Sequence, residues 1–389
     1  MNTKLSSILF LGGCFIPLIV YLCLIYIYDP LSVFHPPYSR EFTVAVHASR
    51  QQNIAFVKHF SFDSFIMGNS LTANTSCKDA EDTFGGNFLN LSMDGASLYE
   101  QSIVRDYVLK NKNIKTVFSV FSPSLSKKGH GGYAVEQWDY LYDSSSANDI
   151  KVYVNIHYLR CLLRWSQSTQ CVGEARDMDR PTAWYEMPDH YIRFGGIDKW
   201  LESSEHHQLI DIIHRDIPQY AALPLQQPLP LPDAEVIAIS DMISEYIITP
   251  AIQYPETQFV YFFSPHFIMH RAFGVRDSSL DGYCYWIEES IRLSAGVSNI
   301  HIFGFDNEEF TDDIAYFKDL NHYRPEMNKM ILEKIKVGDN LLTTENVNMY
   351  TNLLRERAEQ YDLASMNEYV QKNIGKYDGD LAPQNWSIL

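Results

Sequence analysis

Apolar residues fall along this chain in two rhythms. Short runs with little alternation recur at Ser64–Met67, Phe88–Met93, Thr116–Phe121, Gln258–Phe263 and Ile300–Phe305. Strands that are apolar on both faces are those of a parallel sheet covered by helices. Between them, helical spacing marks Leu98–Leu109, Ala234–Gln253, Ser279–Leu293 and Pro325–Ile335. Ser97 and Glu100 read as a capping box opening the first of these helices. Pro325 and Gly338 give the last one the proline-first, glycine-after asymmetry of helix ends. A polar stretch, Glu41–His59, is also expected to be helical. The alternation predicts an α/β domain built on a three-layer, doubly wound, mainly parallel five-stranded sheet.

Several segments stand outside that rhythm. Ser6–Tyr28 carries no charge and as a helix is long enough for a hydrocarbon core of about 30 Å, which predicts a single transmembrane helix. Pro17 is tolerable there. The run is longer than a signal-peptide core and no small-x-small cleavage site precedes Asp29-Pro30. Lys4 and the terminal amine lie before the span and Arg40 is the first cation after it. This bias predicts residues 1–5 in the cytoplasm, an anchor in the inner membrane and the rest of the chain in the periplasm. Asp29–Pro37, with its prolines, reads as a stiff stalk leading through a linker to residue 59. An α/β domain is expected over 60–342, with a helical insertion at about 124–232, and a polar helical tail over 343–389. The insertion is rich in aromatics, among them Trp138, Trp165, Trp184 and Trp200, and ends in a proline-rich run before Asp233. Such aromatics either stack on sugar rings or simply pack a subdomain.

Composition narrows the function. The 389 residues are 46% hydrophobic and 14% aromatic, which supports a packed core. Thirty-one basic against 48 acidic residues leave a net charge of −17, which disfavours nonspecific binding to nucleic acid or anionic lipid. Cys14 and Cys23 lie in the predicted span. Of Cys77, Cys161, Cys171 and Cys284, the pair Cys161 and Cys171 is close enough in sequence to bond across one loop in an oxidising compartment, with buried unpaired thiols as the alternative.

Candidate chemistry gathers where strands end. Phe65-Ile-Met-Gly-Asn-Ser-Leu-Thr72 delivers Ser70 after the first strand, Asn90-Leu-Ser-Met-Asp-Gly-Ala-Ser97 follows the second, and Phe317-Lys-Asp-Leu-Asn-His322 follows the fifth. A serine needs a base and an orienting carboxylate, and Asp319 and His322, three residues apart, can meet in one turn. Gly95 permits a backbone N–H to approach a reacting oxygen. Asn69, Asn74, Ser122 and His266 are candidate substrate contacts. His206-His207 with Glu202 and Glu205 fits no standard metal spacing. No phosphate loop, dinucleotide fingerprint or zinc pattern occurs, so neither cofactor nor metal is expected.

Gly68-Asn69-Ser70-Leu71 resembles the GDSL block of the SGNH/GDSL hydrolase superfamily. Gly95 sits where that superfamily has its second-block glycine, and Asp319-Leu-Asn-His322 is similar to its closing Asp-x-x-His block. With one N-terminal span, the chain looks most like the membrane-anchored branch of DltD-like and alginate-acetylation-type (AlgJ/AlgX-like) proteins. The resemblance covers about Asp63 to Ile335. It implies a flavodoxin-like sheet, Ser70 as nucleophile, His322 as base, Asp319 as its orienter, and the Ser70 and Gly95 amides as oxyanion donors. It further implies O-acetyl transfer to a cell-surface glycan, with a multipass membrane-bound O-acyltransferase as partner. A carbohydrate acetylesterase and a non-catalytic glycan-binding or assembly protein are the alternatives. Asn69 replaces the aspartate of GDSL. The superfamily's Gly-x-Asn-Asp block is absent after the third strand, where the chain reads Phe118-Ser-Val-Phe-Ser-Pro-Ser124.

Overall fold

The computed structural model describes residues 3–126, 134–185 and 187–376, and the side chains of its first helix from Phe15 onward. Five strands, β1 (Ser64–Met67), β2 (Phe88–Asn90), β3 (Thr116–Phe121), β4 (Gln258–Phe263) and β5 (Ile300–Gly304), form one parallel sheet in the order β2-β1-β3-β4-β5. That order is the one found in flavodoxin-like doubly wound sheets. Ser64 lies opposite Phe88 in the β1–β2 pair, and Phe259 opposite Ile300 in the β4–β5 pair. Every residue of β1, β2 and β3 is buried, which is why these strands are written as unbroken apolar runs. Stacked rings fill the sheet's centre, Phe118 on Phe262 at 5.1 Å and Phe121 on Phe263 at 4.7 Å.

β1, β3 and β4 have their expected bounds, whereas β2 and β5 stop early. β2 ends at Asn90, whose side chain donates to Thr72 O and Thr75 O and accepts from Ser92 N, although Leu91 N still donates to Ile66 O of β1. β5 ends at Gly304, where a Cβ would lie 2.5 Å from the Tyr350 ring. The helix expected over Glu41–His59 forms only at Ser49–His59, after a 3-10 turn at Val46–Ala48. Ahead of it, Val44 makes an isolated antiparallel bridge to Glu174. Ala234–Gln253 is helical apart from a π-turn at Ser244–Ile248, placed just before Pro250, whose missing N–H breaks the normal ladder.

The N-terminal helix runs Thr3–Tyr28, but among the described residues no helix is long and apolar enough to cross a membrane. The span expected at Ser6–Tyr28 is therefore unsupported by the described residues. The helix's last turns instead pack on protein: Ile25 is fully buried, Tyr21 donates to Tyr153 O at 2.7 Å, and Tyr28 donates to Ser166 O. Nor is Asp29–Pro37 a stalk. Asp29 is 1% exposed, and its carboxylate accepts from the amides of Val33, Phe34 and His35 and from the Tyr153 hydroxyl. A carboxylate satisfying successive amides makes a tight turn that proline content alone does not reveal.

The chain divides into two compact units, Met1–Val117 with Ser126–Thr182, and Phe118–Leu125 with Ala183–Leu389. The aromatic interval expected to form one insertion is thus shared between them. In the first unit Cys161 and Cys171 form a disulfide and Cys77 is a buried thiol, as is Cys284 in the second unit. The tail is helical at Val347–Gln360 and Leu363–Asn373, and its residues 377–389 lie outside those described.

Candidate active site

The candidate nucleophile belongs to the first unit. Asn69 caps the short helix Ser70–Ala73, its Oδ1 accepting from Leu71 N at 3.0 Å, so Ser70 occupies the first helical position and not the cap. Ser70 is half-buried. The loop after β2 is tied to the same strand end by Met93 N donating to Gly68 O at 2.9 Å. Within that loop Gly95 has φ +58°, a conformation glycine adopts without penalty. The next residues form the expected capping box: Glu100 N donates to Ser97 Oγ, and Ser97 N donates to the Glu100 carboxylate. Glu100 also receives the buried Arg50 at 2.7 Å.

Two residues without a role in the sequence reading support this half. Asn90 holds the carbonyls of Thr72 and Thr75, and Ser92 Oγ donates to Thr72 Oγ1 at 2.8 Å. Both brace the helix that carries Ser70. A polar residue ending an otherwise apolar strand was the available signal. Asn74, at the helix's C-cap, is 2% exposed.

The candidate base belongs to the second unit. An antiparallel bridge between Phe317 and Tyr323, with Lys318 N donating to His322 O at 3.0 Å, closes a tight turn. Inside it Asp319 accepts from the amides of Asn321 and His322 at 3.0 and 2.9 Å, and His322 Nδ1 lies 2.8 Å from each carboxylate oxygen. The expected Asp-x-x-His pair therefore forms. The carboxylate selects the tautomer with the proton on Nδ1, which leaves the lone pair on Nε2. Trp184 packs edge-to-face on the imidazole, ring centres 5.4 Å apart. Burial alone would raise the Asp319 carboxyl, but His322, Lys318 and the hydrogen bonds outweigh it and hold the group well below the usual carboxylate range.

Behind the pair lies a basic cluster that sequence reasoning missed. Lys318, 1% exposed, sits 3.2 Å from Asp319 Oδ2, donates to Gln208 Oε1 at 2.9 Å and lies 4.7 Å over the Trp184 ring. Arg193 is fully buried and its hydrogen bonds go to neutral acceptors: Asp189 O, His190 Nδ1, His206 Nδ1 and Gln208 Oε1. Burial, reinforced by the charges of Lys318 and Arg193, pushes His190 down to about 4, and burial with Arg193 does the same to His206. Arg193 also feels the charges of Asp319 and Asp189, so the two cations, Lys318 and Arg193, stand with two carboxylates.

His206 is accordingly an acceptor for Arg193 and not half of a metal site. Among the described residues one group has metal-ligand proximity, His157, Cys161 and Cys171, and its two sulfurs are joined in the disulfide.

No family model, no curated protein and no solved structure matches this chain. Of the candidate substrate contacts, Asn69 has a capping role and Asn74 is enclosed, while Ser122 follows β3 half-buried in the second unit. His266 Nδ1 lies 2.9 Å from both Ser264 O and Arg271 Nη2. Burial and the Arg271 charge hold it neutral, far below its ordinary range.

Proposed function

We propose that this protein is an extracytoplasmic SGNH-type serine acyltransferase that places an acyl group, acetyl being the simplest, on a cell-surface polysaccharide. The observation that carries the reading is the Asp319–His322 pair, an imidazole oriented by a buried carboxylate at 2.8 Å. On this reading Ser70 Oγ attacks the donor's acyl carbon while His322 Nε2 takes the hydroxyl proton. The Ser70 and Gly95 amides hold the oxyanion, and the departing group takes the proton back from His322. A sugar hydroxyl then resolves the Ser70 ester by the reverse sequence. Water in its place makes the enzyme an esterase.

The uncharged Ser6–Tyr28 run supports attachment to a membrane, and the Cys161–Cys171 disulfide accords with an oxidising compartment. Since no activated acyl donor is expected there, the partner on this reading is a multipass membrane-bound O-acyltransferase. No cofactor enters the scheme.

The test is acyl-enzyme trapping. The full chain in detergent is incubated with p-nitrophenyl acetate, quenched in acid, digested and mapped by mass spectrometry. An acetyl group on the Ser70 peptide, lost in Ser70→Ala and scarce in His322→Ala, is the expected result. Equal labelling of Ser70→Ala would sink the proposal. Surface acetylation lost in a Ser70→Ala strain marks a transferase, and acetylation increased marks an esterase.

A further inference from the structure

The second unit contains a cavity of about 660 Å³ bordered by Pro123, Glu235, Arg271, Tyr283 and Trp286, within the about 300–1,000 Å³ typical of small-molecule sites. It lies at the carboxyl edge of the strands, where α/β folds bind ligands: Pro123 follows β3, Arg271 stands on the helix Ile268–Asp277 after β4, and its partner Asp306 follows β5.

Arg271 is built into this wall. Its Nε and Nη2 reach Asp306 Oδ1 at 3.2 and 2.8 Å, and its guanidinium lies 3.6 Å over the Tyr283 ring. Asp306 Oδ2 in turn accepts from the hydroxyls of Tyr283 and Tyr350, each at 2.9 Å. The residue is 7% exposed. Its Nη1 is the guanidinium nitrogen left without a protein acceptor among the described residues. Glu235, Ser278 and Trp286 likewise direct no side-chain hydrogen bond to a described protein group, whereas Asp281 is committed to Arg355 and to Leu229 N.

The balance of charge selects the ligand. Asp306 neutralises Arg271, so the carboxylates of Glu235 and Asp277 leave the cavity negative and unfavourable to an anion. What remains is a fixed donor, a carboxylate acceptor and hydroxyls around an apolar wall of Trp286 and Pro123. That set matches a neutral ring bearing equatorial hydroxyls on its rim and C–H groups on its face.

We infer that this cavity binds a neutral sugar unit of a polysaccharide. The inference rests on the proposed acyl transfer only in naming that sugar as acceptor; the binding itself stands on the cavity.

Gly282 provides the test. A Cβ there would meet Glu235 Oε1 at 3.7 Å and Leu231 at 3.9 Å, ordinary contacts, so the helix Ser279–Ser294 accepts a side chain at this position and Gly282→Leu obstructs the cavity. The full chain, in a detergent without a sugar headgroup, is titrated calorimetrically with neutral β-1,4-glucan, β-1,3-glucan and β-1,4-mannan tetrasaccharides and with tetramannuronate. At least one neutral tetrasaccharide should bind, tetramannuronate should not, and Gly282→Leu should weaken binding by about tenfold or more with its melting temperature kept. Glu235→Gln should weaken it several-fold. Unchanged affinity in both variants, no binding of any neutral sugar, or tighter binding of tetramannuronate overturns the inference. Acyl-enzyme trapping on the same parent preparation separates the two proposals. Sugar binding without an acyl-enzyme refutes the catalytic scheme alone, and an acyl-enzyme without sugar binding refutes this site alone.

Discussion

At Arg193 a fully buried guanidinium is satisfied by imidazole nitrogens and an amide oxygen. Protonating His190 or His206 would turn an acceptor into a donor aimed at a cation. Their folded-state values, about 4, lie below the roughly 6.5 of an unfolded histidine. The unfolded chain therefore binds more protons between those limits. Their contribution to stability is complete above the unfolded value and is lost as pH falls toward the folded one. Thermal melts from pH 7 to pH 4 should show a falling midpoint, and His190→Asn with His206→Asn, which retains an acceptor that cannot titrate, should make that fall shallower without abolishing it, since buried His266 and His270 are depressed as well. Asp319 makes a second case. Asp319→Asn should lower acyl transfer by about 10⁴-fold through the wrong histidine tautomer. It also strands the buried Lys318, at a cost of about 3–5 kcal/mol. Adding Lys318→Met should recover the stability and leave the rate low, as read by urea melts beside ester turnover.

Among the elements, the helix Leu98–Asn111 starts on a capping box whose Glu100 is also the partner of buried Arg50. Ser97→Ala should cost about 1 kcal/mol, while Glu100→Ala, which orphans Arg50, should cost about 3–5 kcal/mol; denaturant unfolding distinguishes the two. This helix was legible in the chain because a cap, a box and helical spacing are all local signals. β1, β3 and β4 were legible because burial on both faces is written as uninterrupted apolar residues. The Asp319–His322 pair was legible for the same local reason, three residues being one turn. Lys318 reaching Gln208, 110 positions away, and Trp200 donating to Phe317 O, 117 away, leave no periodic trace. Contacts of that range are set by packing. The buried turn at Asp29 was hidden differently, since its prolines signal stiffness but not where the carboxylate goes.

Across the whole molecule, the two units differ in how they are held. The first contains the Cys161–Cys171 link, ten residues apart in sequence, and closing so short a loop contributes about 2–3 kcal/mol. Melting with and without reductant should reveal a lower midpoint for the reduced protein, and Cys161→Ala with Cys171→Ala should reproduce it. Its N-terminal helix is part of its packing through Ile25 and Tyr21. Removing residues through Pro37 should therefore lower the midpoint further, although the net charge of −17 would keep the shortened chain dispersed.

The second unit is keyed by a missing side chain. At Gly304 a methyl group would collide with Tyr350, the residue whose hydroxyl holds Asp306, which holds Arg271. Gly304→Ala would drive a wedge at the end of a strand and release a guanidinium two links away. Sugar affinity would then change with no alteration to any group that touches the sugar, so variants selected for altered glycan preference are to be sought under the helix Val347–Gln360 as well as in the cavity wall.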